Sequence, residues 1–207
     1  MKKIYLITFL VFLLGTMGSC NYLDVVPDER PTEKDAFKDK KAAERYLYSC
    51  YAFMYKDGSP EYIYQTGEIV TDYSDEYLHG NYNAANPGRF RYWSSMYGGI
   101  KRCYTLIDNV DKVPRLEDEL KVSYKAEAKF LIAYYHFCLL RAYGPILLVD
   151  HDMDIETPVA DYPKRSPYDV CVDWIANLFD EAYNDLPSKY IDTEYGRATK
   201  LAAKSLN

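Results

Sequence analysis

YKAEAKFLIAYYHFCLLRAYGPILLVD, Tyr124 to Asp150, is the stretch whose reading decides the fold. Two apolar sets run through it at helical spacing. Ala126, Phe130, Ala133, Phe137 and Leu140 share one face, and Ala128, Leu131, Tyr135 and Cys138 share another. A helix that is apolar on several sides must be packed between neighbours. Upstream the pattern extends back to about Glu117. Downstream it stops at Gly144-Pro145, where glycine suits the residue after a helix and proline forbids continuation. Ile146 to Val149 then reads as a short extended run.

The neighbours of this helix are legible on both sides. Met96, Ile100, Cys103, Ile107 and Val110 form a 3.6-residue stripe on a helix that opens near Trp93 and is stopped by Pro114. Further upstream, Ala43, Leu47, Cys50 and Met54 recur at helical spacing after a start at Thr32 that Asp35 can support, and this helix ends before Gly58 and Pro60. Downstream, Ser166 is expected to cap a helix with Pro167 at its first position and Cys171, Ile175, Leu178 and Ala182 on its face. A fifth helix is expected to start around Arg197, and the pattern is still running at Asn207, so further chain would have to supply its mate. Successive amphipathic helices, with Ala126, Ala128 and Ala133 allowing close approach, predict an all-α, tetratricopeptide-like helical-repeat scaffold. Its loops are longer and more irregular than those of bare repeats.

Composition narrows the function. The chain carries 25 Lys and Arg against 31 Asp and Glu, a net charge of −6, and no long basic run. Nucleic acid is therefore not expected as a partner, because phosphate neutralisation needs clustered cations. Tyrosine is over-used, with 23 in 207 residues against two Trp and eight Phe. A tyrosine offers a flat apolar face and a hydroxyl, which suits surfaces both adhesive and wet, such as those that hold sugars. Most, including Tyr134 and Tyr135, are expected simply to pack helices together. Cys50, Cys103, Cys138 and Cys171 have no metal-ligand spacing and read as buried thiols, with a disulfide between neighbouring helices left open. The three histidines share no metal spacing either, and His136 is expected to make a hydrogen bond inside the core. The string Asp150-His151-Asp152-Met153-Asp154 lacks the glycine of a tight calcium loop and reads as a solvated acidic loop. No cofactor and no metal are expected.

Two further segments stand apart. Lys2 and Lys3, the apolar run Ile4 to Leu14 and the small residues before Cys20 have the grammar of a secretory signal. A cysteine directly after Gly18-Ser19 is the place where bacterial lipoproteins are cleaved and acylated. This predicts a signal peptide over 1–19, a lipid on Cys20, a tether over 20–31 and a helical domain over 32–207. The second segment runs from about 58 to 92. Its core, DYSDEYLHGNYNAANPGRFRY from Asp72, is rich in the residues that make turns. A loop this long in a compact domain is usually functional.

The quoted helix, with its Ala-Glu-Ala start, Ala-Tyr-Tyr run and Tyr-Gly-Pro turn, resembles that of SusD/RagB-like outer-membrane nutrient-binding lipoproteins of Bacteroidetes. LDVVPDERPTEKDAFKDKKAAERYLYSCYAFM from Leu23 resembles the family's tether and first helix. WSSMYGGIKRCYTLIDNV from Trp93 and GRATKLAAKSL from Gly196 resemble later core helices, in family order. Family members are much longer, so the resemblance is to the N-terminal portion. It implies a lipid-anchored, surface-exposed outer-membrane protein that binds oligosaccharide or polysaccharide without catalysis. It also implies delivery of the ligand to a SusC-like TonB-dependent transporter, with the helices as scaffold and the loops carrying the sugar site.

Within the loop, Tyr73, Tyr77, Tyr82 and Tyr92 could offer ring faces, and Asp72, Asn81, Asn83, Arg89 and Arg91 could bond hydroxyls. Trp93, at the head of a core helix, is expected to pack rather than to stack on a ligand. The rival readings are a surface-anchored glycoside hydrolase and a helical-repeat scaffold for protein partners. The first needs two carboxylates flanking a scissile bond, and no acidic pair stands out in an aromatic cleft. No GxSxG, HExxH or phosphate-cradling glycine loop is present.

Overall fold

A computed structural model describes residues 33–54, 83, 91–154 and 156–207. Residues 36–207 form one compact unit. Its regular elements among the described residues are helices, and the only β-type pairing there is one isolated antiparallel bridge between Leu147 and Arg165.

The first helical segment is broken where the sequence reading had it continuous. A single turn, α1 (Glu33–Ala36), is followed by a bend, and α2 (Lys40–Tyr51) starts afresh. Asp39 is the reason. It is extended at φ −156° and ψ 169°, and its carboxylate accepts the Ala42 N–H at 2.8 Å. That satisfies one of the donors a helix start leaves orphaned. The proposed cap at Thr32 lies outside the described residues. The expected stripe is otherwise in place: Ala43, Leu47 and Cys50 are fully buried, while Met54 falls beyond the helix and is half-buried.

α3 (Trp93–Asn109) opens where expected, and its Met96, Ile100, Cys103 and Leu106 are buried. A single tighter turn, Val110–Lys112, ends it ahead of Pro114. Gly99 is required here by a close approach. A Cβ at that position would lie 2.9 Å from the Tyr135 ring and 3.1 Å from Phe53.

α4 (Asp118–Tyr143) is the central element, packed against α2, α3 and α5. Both predicted apolar faces are largely buried, and so are two polar residues among them, Glu127 and His136. Gly144 takes φ +69° and its N–H donates to the Leu140 carbonyl at 3.0 Å. Only glycine enters that region without strain.

α5 (Tyr168–Asp185) corrects the expected cap. Pro167 holds the N-cap position and its carbonyl accepts from Cys171, while Ser166 lies outside the helix. The Ser166 backbone is engaged elsewhere, since its N–H donates to the Ile146 carbonyl at 2.8 Å beside the bridge. Leu178 is only half-buried; Phe179 fills the core position beside it. α6 (Lys200–Leu206) starts three residues later than expected, capped by the Thr199 hydroxyl, which accepts from Ala202. α5 packs on α4 and α6 on α5, so each helix is laid on the one before, as in a helical-repeat scaffold. Cys50, Cys103, Cys138 and Cys171 are buried with free thiols. No helix among the described residues is long and apolar enough to cross a membrane.

Candidate functional site

From Arg91 the chain is described again, and it leads directly into an aromatic corner. Tyr92 is the N-cap residue of α3 and Trp93 its first residue. Tyr143, the last residue of α4, packs edge-on against both, with ring centroids 5.4 Å from Tyr92 and 5.0 Å from Trp93. Tyr97, one turn along α3, lies 5.0 Å from Trp93. All four rings are half-buried. Arg165 arrives from the strand-like side of the bridge and places its guanidinium 4.8 Å from the Trp93 ring centroid. Its Nη1 donates to the Pro145 carbonyl at 2.6 Å and, more weakly, to the Tyr143 carbonyl at 3.4 Å. The end of α4 is thereby tied to the segment that leads into α5.

Behind this corner a strap of chain, residues 146–153, is stitched to α3 by side chains. The Tyr97 hydroxyl donates to the Leu147 carbonyl at 2.8 Å and accepts the Leu147 N–H at 3.0 Å. Two turns further along α3, Tyr104 donates to the Val149 carbonyl at 2.9 Å. Lys101 pairs with Asp152 at 2.6 Å, and Thr105 donates to the same carboxylate at 2.8 Å. Asp152 is therefore engaged inward rather than simply solvated, while Asp150 pairs with His151 on the outside. Among the described residues no group of three or more His, Cys, Asp or Glu could hold a metal.

His136 closes the strap from the α4 side. Its Nδ1 lies 2.8 Å from the Ile132 carbonyl, and the Val149 N–H points at Nε2 at 3.3 Å. Both contacts fit one neutral tautomer, with Nδ1 donating and Nε2 accepting. Burial pulls the imidazole down to about 4. The expected core hydrogen bond of His136 is thus present. Burial pushes the Tyr97 phenol up, so this hydroxyl stays a donor.

Of the sequence-predicted site residues, Asp72, Tyr73, Tyr77, Asn81, Tyr82 and Arg89 lie outside the described residues, as does Cys20. Asn83 and Arg91 are exposed, and Tyr92 stands in the corner itself. Trp93 packs against Tyr97 and Tyr143, yet it is only half-buried and carries Arg165 on its ring. The sequence reading missed Tyr143 and Arg165, which reach the corner from 50 and more residues away along the chain. Neither has a local signal.

A second polar cluster also went unread. Glu127 is fully buried on α4 and receives a two-pronged contact from Arg197, Nη2 to Oε1 at 2.5 Å and Nε to Oε2 at 3.0 Å. Tyr51 donates to the same carboxylate at 2.6 Å and accepts the Ala198 N–H at 3.0 Å. Glu194 completes the cluster on Arg197. This is why α6 cannot begin at Arg197: the residue is drawn into the core before the helix starts. The available signal was a glutamate between two alanines on a helix buried all round, which must find a partner.

The family described as starch-binding and associating with the outer membrane, SusD-like_3, matches residues 21–206. No curated protein matches the chain significantly. Among solved structures, BT4246 is 31% identical with a TM-score of 0.70, over 82% of this chain and 30% of that one. A SusD-like protein from Bacteroides fragilis is 23% identical with a TM-score of 0.68, over 86% and 36%. A laminarin-binding SusD-like protein is 21% identical with a TM-score of 0.69, over 82% and 39%. The chain thus spans under two fifths of the length of these structures.

Proposed function

Because the chain belongs to the SusD-like family, we propose that it binds glycan at the outer-membrane surface without altering it. The reading is supported by the juxtaposition at α3. A tyrosine-rich loop ends on a half-buried cluster of Tyr92, Trp93, Tyr97 and Tyr143, set on a rigid helical scaffold. Aromatic rings offer sugar C–H faces a surface, and a few polar groups beside them fix orientation. The loop residues Asp72, Tyr73, Tyr82, Asn83, Arg89, Arg91 and Tyr92 supply the contacts in this reading. The cysteine at position 20 carries the lipid that holds the mature chain to the outer membrane, and a SusC-like TonB-dependent transporter takes the ligand onward. No cofactor takes part.

The test is an affinity gel cast with single polysaccharides, run beside a reducing-sugar assay. Retardation by at least one glycan, with no release of reducing ends, is the expected result. Release of reducing ends would point to a surface-anchored glycoside hydrolase, and indifference to every glycan would favour a scaffold for protein partners. Replacing residues 72–90 by a short Gly/Ser linker should abolish retardation and leave helical circular dichroism intact. Unchanged retardation would move the site elsewhere. Labelled palmitate should enter the wild-type chain and not Cys20→Ala.

A further inference from the structure

The corner at Trp93 has a charge character that the chain as a whole does not. The protein is acidic, with 31 Asp and Glu, yet residues 91–107, 128–149 and 162–168 contain none. These are the segments that meet at the corner, through the Tyr92–Tyr143, Trp93–Tyr143 and Arg165–Trp93 contacts and the Leu147–Arg165 bridge. The acids that do pair with bases of these segments are Asp152, with Lys101, and Glu181, with Lys129. Arg165 is exposed there.

Arg165 is the informative residue. Among the described residues its guanidinium makes no ion pair, although it is held firmly. The Trp93 ring lies under it at 4.8 Å, and Nη1 is committed to the carbonyls of Pro145 and Tyr143. A guanidinium has five N–H donors in a rigid plane. These contacts use Nη1 alone, so the Nε–Nη2 edge keeps a pair of parallel donors with no partner among the described residues. Two parallel N–H groups on one edge match the two oxygens of a carboxylate or a sulfate ester. Cation–π contact with Trp93 fixes the plane without neutralising the charge.

We propose that this corner is a subsite for an acidic sugar, a uronate or a sulfated residue, held by the free edge of Arg165 with its ring against the Tyr92–Trp93–Tyr143 cluster. The proposal rests on the glycan-binding reading above and narrows it from glycans in general to anionic ones. Simple electrostatic attraction to an acidic protein would be unfavourable, so the selectivity must come from the Arg165 fork, set among described segments that carry no acid of their own. Arg165 acts by charge and by geometry together, and the two are separable. Lysine keeps the charge and loses the planar fork, whereas glutamine loses the charge.

The experiment is affinity electrophoresis of the full chain in gels holding polygalacturonate, alginate or chondroitin sulfate. Laminarin, levan and carboxyl-reduced polygalacturonate are the neutral controls. At least one acidic polymer should retard the wild type more than the neutral controls do, and added salt should weaken the effect. Arg165→Gln should weaken that retardation about 10- to 100-fold, the worth of a charge-assisted hydrogen bond, and Arg165→Lys should fall between the two. Circular dichroism and the thermal midpoint of each variant show whether the fold survives. If Arg165→Gln unfolds, the Lys variant and the matched pair of native and carboxyl-reduced polygalacturonate still decide the matter. Preferential binding of a neutral polymer, or retardation by native and reduced polygalacturonate alike with no greater response to alginate or chondroitin sulfate, would overturn the acidic subsite and leave the general reading standing. Retention of acidic-polymer binding in a folded Arg165→Gln variant would overturn the assignment to this corner. Binding of no glycan of either kind would overturn both readings.

Discussion

Arg165 and Arg197 are both arginines lying over aromatic rings, and they do opposite things. Arg197 sits 4.3 Å from the Tyr190 ring centroid and Arg165 sits 4.8 Å from that of Trp93. The difference lies in what surrounds them. The Arg197 side chain is 9% exposed, and its fork is filled by a glutamate that is 0% exposed. Arg165 stands at the surface, with one nitrogen tied to backbone carbonyls and no ion pair among the described residues. A buried charge must be paired, so Arg197 and Glu127 are held to each other by the cost of separation. A surface charge on a rigid ring carries no such obligation and stays available to a ligand. The same side chain serves as a clasp in one place and as a receptor in the other.

That contrast can be broken most sharply at the clasp. Glu127→Ala removes the buried partner of the Arg197 fork, leaving it only Glu194, and deprives the Tyr51 O–H of its acceptor. The expected loss is about 3–5 kcal/mol, the usual cost of removing one partner of a buried pair. Urea unfolding followed by circular dichroism measures it, and a loss below about 1 kcal/mol would show that the pair is solvated after all.

Next in size is the response to acid. The imidazole of His136 is lowered to about 4 in the folded chain, with burial the dominant cause. In the unfolded chain it titrates near 6.5. Between these values the unfolded state binds a proton that the folded state refuses, so unfolding is favoured as pH drops. Stability is therefore full above about pH 6.5, declines as pH falls toward about 4 and levels off below, by about 3 kcal/mol in total. The groups around the ring are the Ile132 carbonyl, the Val149 N–H, and the rings of Tyr97 and Trp174, none of which offers a compensating negative charge. His136→Gln should flatten that part of the pH profile. An unchanged slope in the variant would assign it to the carboxylates.

The strap should show a smaller effect. Tyr97→Phe removes one hydroxyl and leaves both the Leu147 carbonyl and N–H without their partner. About 2 kcal/mol is expected, from the cost of stranding partly buried polar groups. Amide exchange over residues 146–153 should accelerate while α4 stays protected. Uniform acceleration across the helices would mean that the strap is not a separate unit. Smallest of all is the effect of Arg165→Gln on stability, under about 1 kcal/mol, because an exposed side chain contributes little to folding. A large loss would make Arg165 a clasp like Arg197 and dissolve the contrast.

Much of the fold was legible because it is written in periodic apolar residues. Ala43, Leu47 and Cys50, or Met96, Ile100 and Cys103, repeat at helical spacing and are buried together. The ends were harder, because a cap depends on what the backbone does next. Ser166 has the right side chain for an N-cap, but its N–H is taken by Ile146 across the bridge, and Pro167 becomes the cap instead. Arg197 fits a helix start by composition, yet Glu127, far away in sequence, claims it. The site was legible only in part. Tyr92 and Trp93 lie in one run with the loop that drew attention to them. Tyr143 and Arg165 join them through tertiary contacts, which leave no trace in local pattern.

The most direct test uses the corner as its own reporter. The chain has two tryptophans, Trp93 in the corner and Trp174 against His136. In a Trp174→Phe variant, emission comes from Trp93 alone and can be followed as a retarding polysaccharide is titrated in. The account predicts a saturable change in Trp93 emission with the glycan recovered intact. A glycan that binds while Trp93 emission stays constant, or that is recovered shortened, would contradict it.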